Sequence, residues 1–162
     1  GMVGGGKVLQ VLQSVKSDAF STTSTSLVDV SGLSVNITPS STSSKILVHI
    51  DLNLSASYFT GHAQLVRDTT QIYKADTAGN RPTNSITFSQ NPTNDGISQR
   101  SSAMYLDSPA TTSQTTYKVQ ASTRIDGQGG GVFYINRTTQ DRDTIGYDAR
   151  GVSSITVMEI AG

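Results

Sequence analysis

At 162 residues and 17.1 kDa the chain suits one domain, large enough to bury roughly 70% of the surface that its unfolded form exposes. It has no cysteine, which excludes a disulfide framework and any thiolate metal site, and its 12 basic and 12 acidic residues balance, which removes the long-range field that draws proteins to nucleic acid or to anionic membranes. With 44 Ser and Thr residues, one glutamate and no apolar run near the roughly 20 residues of a membrane span, the composition favours strands and turns over helices.

Gly1-Met2 reads as a cloning scar before a start methionine. Residues 1–6 form a glycine-rich flexible lead without the charged-then-apolar layout of a signal peptide, and residues 7–162 read as a single β-sandwich domain. Leu9, Val11 and Val15 alternate with polar residues as a first strand at a sheet edge. After a polar passage from Phe20 to Ser26, Leu27–Val30 and Leu33–Ile37 read as two short strands around a turn at Ser31-Gly32. Pro39 stops the second. Between Ser44 and Ser55, Ile46, Val48, Ile50, Leu52 and Leu54 fall on every second residue, so this segment reads as the central strand of an antiparallel sheet. Only Leu47 breaks its polar face.

Tyr58 to His62 reads as a loop, Ala63–Arg67 and Gln71–Lys74 as a hairpin, and Ala75–Asn84 as a loop leading to a short strand at Ile86 and Phe88. Asn94-Asp95-Gly96 marks a turn. Met104 and Leu106 lie on one strand, Tyr117, Val119 and Ala121 on the next, and the two are expected to pair. A glycine-rich hairpin tip at Gly127–Gly131 and a strand at Val132–Asn136 follow, then a long polar loop from Arg137 to Gly151. The last strand, Val152–Ile160, is apolar on both faces and is expected to be buried. This spacing of strands predicts an all-β fold, an antiparallel β-sandwich of jelly-roll type.

Catalytic equipment is thin. His49 and Asp51 share a strand face and could orient each other, but no nucleophile context accompanies them, so no catalytic residue is assigned and the chain is not expected to be an enzyme. Asp141, Asp143 and Asp148 could sketch a calcium site, yet Arg142 and Arg150 lie among them and would pair with the carboxylates; no metal or other cofactor is expected. Glu159 reads as a rim or interface salt bridge. The aromatic residues Tyr58, Phe59 and Tyr147 sit beside polar neighbours in predicted loops, a pattern that suits stacking on a sugar ring or a protein surface. With His62, Arg142 and Arg150 they form the candidate ligand-binding set.

From Gly6 the chain reads Gly-Lys-Val-Leu-Gln-Val-Leu-Gln. Phe-Ser-Thr-Thr-Ser-Thr-Ser-Leu-Val-Asp-Val and Ile-Thr-Pro-Ser-Ser-Thr-Ser-Ser-Lys-Ile-Leu-Val follow, with Leu-Asp-Ser-Pro-Ala-Thr-Thr-Ser-Gln-Thr-Thr-Tyr-Lys-Val-Gln from Leu106 and Ser-Ile-Thr-Val-Met-Glu-Ile at the end. Across nearly its whole length it resembles the terminal modules of tail-fibre and other virion structural proteins of marine bacteriophages. The resemblance implies a place in the virion tail, outside the cell after synthesis in the host cytoplasm, with other virion proteins as partners. It also implies attachment to a host-surface glycan or protein through loops at one end of the sandwich. A pure assembly module without ligand is the alternative, and a polysaccharide hydrolase a more distant one. Leu47 on the mixed face, and the doubly apolar last strand, call for a second buried surface beyond the core. Leu47, His49 and Asp51 are the expected interface. Its expected form is a homotrimer, the threefold symmetry being what the resemblance implies.

Overall fold

The computed structural model describes residues 6–57, 59–90, 96–123, 131–144 and 146–162. Eleven strands are formed among them: β1 (Val8–Lys16), β2 (Phe20–Thr22), β3 (Val28–Ile37), β4 (Lys45–Ala56), β5 (Phe59–Arg67), β6 (Thr70–Gln71), β7 (Ile86–Gln90), β8 (Gln99–Asp107), β9 (Thr115–Thr123), β10 (Phe133–Ile135) and β11 (Ser153–Ile160). They build two antiparallel sheets that pack face to face as a β-sandwich.

In the first sheet β4 is central. β8 runs along one edge of it from Ile46 to Leu54, and the other edge is shared by β11, opposite Lys45–Asp51, and β10, opposite Leu54–Ala56. β1 pairs only with β11, and β2 with β10, so β1 and β8 are outer strands. In the second sheet the order is β3-β9-β5, with β6 and β7 side by side on the far edge of β5. The period-two pattern of β4 becomes burial directly: Ile46, Val48, Ile50, Leu52 and Leu54 are all fully buried. Facing them are Leu33, Leu65, Tyr117 and Val119 of the second sheet. Each such side chain contributes about 1.5–3 kcal/mol on leaving water.

Several sequence expectations need correction. β3 is one strand, not two. Gly32 supplies a positive φ of 82° inside a bulge, where the register shifts between Asp29 and Ser34. β8 and β9 do not pair, because the connection after Asp107 crosses from the first sheet to the second. Most of the Gly127–Gly131 tip lies outside the described residues, but its flanking strands β9 and β10 belong to different sheets and are not hairpin partners. The predicted loop through Gly61 is the first half of β5. A Cβ at Gly61 would stand 2.0 Å from Phe133 Cδ2, so glycine there lets β5 pass beneath the Phe133 ring. The expectations for β1, β4 and β11 agree with the fold: β1 is an outer strand, and β11 lies between it and β4. The two ends of the sandwich chain meet, with Ala161 N donating to Lys7 O at 2.8 Å.

Candidate functional site

The 137–151 segment carries three of the predicted ligand-binding residues, and its shape is set by Asn136. That side chain is fully buried, and its backbone takes a positive φ of 65°, which asparagine tolerates. Its Nδ2 donates to Lys16 O at 2.7 Å and Asp18 O at 3.0 Å, while Oδ1 accepts from Ser153 Oγ at 2.6 Å. Gly151 N donates to Asn136 O at 3.2 Å, closing the loop at its base. One residue thereby joins both feet of the loop to the end of β1 and the connection that follows it.

Within the loop the carboxylates and guanidinium groups pair. Asp148, whose side chain is buried, accepts from Arg142 Nε and from Thr138 Oγ1, each at 2.5 Å. Arg142 first and Thr138 second hold its carboxyl below the ordinary range. Asp141 accepts from Arg150 Nη2 at 2.6 Å and lies 3.6 Å from Arg137 Nη1. The guanidinium of Arg142 sits 5.4 Å from the centre of the Tyr147 ring, and that ring is 69% exposed. Asp141, Arg142, Tyr147, Asp148 and Arg150 line a cleft of about 250 Å³. The cations are offset by carboxylates, so the cleft offers hydrogen-bonding groups around an aromatic face. That chemistry fits an uncharged polyhydroxyl ligand better than an isolated anion.

The other predicted binding residues separate from this set. Tyr58 lies outside the described residues, and Phe59 enters only as the first residue of β5. His62 is not in a loop. It lies within β5, 4% exposed, and burial lowers its pKa, so it is no surface contact for a ligand.

Leu47, His49 and Asp51 occupy the outer face of the first sheet. There the register lines up Val11, Met158, Leu47 and Leu106 across four strands, with Gln13, Thr156, His49 and Met104 in the next row. Val11, Met104 and Leu106 are each more than half exposed. Four strands at about 4.8 Å spacing and about seven residues at about 3.3 Å give this face roughly 450 Å². That area, shared between apolar residues and polar ones such as Gln13, Thr156, His49 and Asp51, is about half of one partner's share of a standard interface. Asp51 does not orient His49, since its carboxylate pairs with Arg100 of β8.

The buried polar groups were not anticipated from sequence. Asp107 of β8 accepts two bonds from Arg67 Nη1, at 3.0 and 2.8 Å, and one from the Tyr117 hydroxyl at 2.7 Å, linking the two sheets. Burial first, and this bond second, push the Tyr117 hydroxyl well above its ordinary pKa. Glu159 is also buried, but among the described residues it pairs with no cation. It accepts from Ser40 N at 2.7 Å, Ser40 Oγ at 2.6 Å and Gln10 Nε2 at 2.7 Å, which corrects its reading as a rim salt bridge. Among the described residues, no three His, Asp or Glu side chains converge as metal ligands. No protein-family model matches the chain, and no curated protein matches it.

Proposed function

We propose that this sandwich is a virion structural module of the tail-fibre type, which attaches to a host-surface glycan through the Tyr147 cleft. The observation that carries the attachment reading is the exposed Tyr147 ring, backed by Arg142 and set on a loop braced by Asn136 and two carboxylate–arginine pairs. A flat apolar ring with hydrogen-bonding groups at its rim is what stacking on a sugar requires, and the bracing spares most of the entropy cost of ordering a loop on binding. Jelly-roll topology is supported by the strand orders β1-β11-β4-β8 and β3-β9-β5-β7, in which successive segments repeatedly change sheet. The test is a glycan array beside a pull-down on bacterial surface extracts. Binding by the wild type that disappears when Tyr147 and Arg142 are both changed to Ala is the expected result, and binding unchanged in that variant overturns the site.

The outer face of the first sheet favours assembly with copies of the same chain, and this second reading stands even if no glycan binds. In a threefold ring each protomer meets its two neighbours through different surfaces, and the mixed outer face and the edge of β1, which pairs with no further strand among the described residues, supply two. Light scattering near neutral pH is expected to give about three times 17.1 kDa. Changing Val11 and Leu47 to Asp is expected to leave folded monomer. A wild-type mass near 17.1 kDa overturns assembly. A mass twice that overturns the threefold part.

A further inference from the structure

A second cleft lies on the flank of the sandwich, away from the 137–151 loop, where the segment after β6 runs back towards β7. Tyr73, Lys74, Ala75, Asn84 and Ser85 line about 280 Å³ there. Tyr73 packs its ring on Tyr105 of β8, with centroids 5.2 Å apart and planes 32° from parallel, so an aromatic pair spans the open side between the two sheets. Tyr73 is nevertheless 42% exposed.

Three features set this place apart from a simple plug. First, Tyr73 has a φ of 49°, and among the described residues it is the only aromatic one in the left-handed region. For a bulky residue that conformation is strained and persists only where the surroundings hold it. Here the Ser85 hydroxyl donates to Tyr73 O at 2.7 Å and fixes the strained peptide. Second, the Asn84 Nδ2 is buried and, among the described residues, has no hydrogen-bond partner. Third, Lys74 makes no ion pair with the described residues. Of the nearby charges, Asp76 does not line the cleft, and Arg81 turns its guanidinium back to Ala78 O.

An aromatic platform beside an ammonium without an ion pair and an unsatisfied amide is the grouping that recognises a sugar ring carrying an anionic substituent. We infer that the Tyr73 cleft is a second ligand site, which takes a carboxylate-bearing saccharide of the uronate class. The ring stacks on Tyr73 and the carboxylate meets Lys74. This differs in kind from the Tyr147 cleft, where each arginine already has its carboxylate.

The test is a titration of the intact protein with an oligogalacturonate and with a neutral galactose oligomer of equal length, followed through backbone amide shifts. Saturable shifts confined to residues 73–85 and the β8 strand near Tyr105 are expected with the acidic oligomer. Lys74→Gln is expected to weaken it about tenfold, as loss of one charge-assisted hydrogen bond would. Tyr73→Asn removes the ring while keeping a residue that tolerates positive φ, so it should abolish binding without unfolding the protein. Tyr147→Ala should leave this titration unchanged, which separates the two sites. The inference is overturned if no shift saturates, if the neutral oligomer binds as well, or if Tyr73→Asn lowers the melting temperature but leaves binding intact.

Discussion

Two carboxylates flank Ile46 in one row of the first sheet's inner face, Glu159 on β11 and Asp107 on β8, and they are stabilised in opposite ways. Asp107 is held by a guanidinium and a phenol from the second sheet, Glu159 by an amide, a hydroxyl and a backbone N–H. Asp107 fastens sheet to sheet. Glu159 fastens the outer strand β1, through Gln10, to the β3–β4 connection, through Ser40. A buried anion therefore does not need a cation if every lone pair it presents finds a donor, but the two solutions fail differently when altered.

The largest expected effect is at Asp107. Removing its carboxylate by Asp107→Ala leaves the Arg67 charge partly buried and unpaired, at about 3–5 kcal/mol measured by urea unfolding. Combining Arg67→Met with Asp107→Leu should recover most of that loss, because both desolvated charges are then gone. A double variant as unstable as Asp107→Ala would show that the pair is needed for more than charge balance.

Glu159 comes next. Glu159→Gln turns an amide N–H₂ toward groups that are themselves donors and is expected to cost about 1–3 kcal/mol. The pH response sharpens the contrast. Burial pushes the Glu159 carboxyl up, but the bonds from Ser40 and Gln10 outweigh it and bring the pKa down to about 2. A depressed folded pKa means that the stabilisation is complete above the ordinary glutamate range. It is lost as pH falls through that range toward 2. Stability measured from pH 6 down to pH 2 should fall less steeply in Glu159→Gln than in the wild type, and equal slopes would refute this assignment.

The smallest expected effect is Tyr117→Phe, which removes one of three bonds to Asp107 and keeps the ring in the core. About 1 kcal/mol is expected from thermal or urea unfolding. A loss as large as that of Asp107→Ala would mean that the phenol, and not Arg67, carries the link between the sheets.

Much of the first sheet could be read from side-chain alternation, because β4 has an in-and-out pattern from Lys45 to Leu54 that only one orientation satisfies. What failed were points where tertiary contact overrides a local signal. Gly32 looked like a turn and is a bulge held inside a continuous strand. Gly61 looked like a loop and is a clearance for Phe133. Asp107 gave no sign of its role, because its partners Arg67 and Tyr117 come from strands whose sheet assignment no local pattern reveals. For Glu159 the signal was present, since it lies in phase with Ile155 and Val157, but donors more than a hundred residues distant in sequence decide whether such a carboxylate can stay inside. In the candidate site, the pairing of Arg142 and Arg150 with loop carboxylates was legible from their spacing. The burial of His62 was not, because it depends on which strand Gly61 belongs to.

The bond between Ala161 and Lys7 places the first and last strands side by side with their outer ends adjacent. A pulling force applied through those two ends would load the β1–β11 ladder one rung at a time, like a zipper, and β1 would peel away at low force. The same force applied through the far end of β1 and the near end of β11 would strain every rung at once. The domain is therefore mechanically anisotropic. Joining residues 6 and 162 by a short linker and opening the chain elsewhere would remove the weak direction without altering a contact in the core.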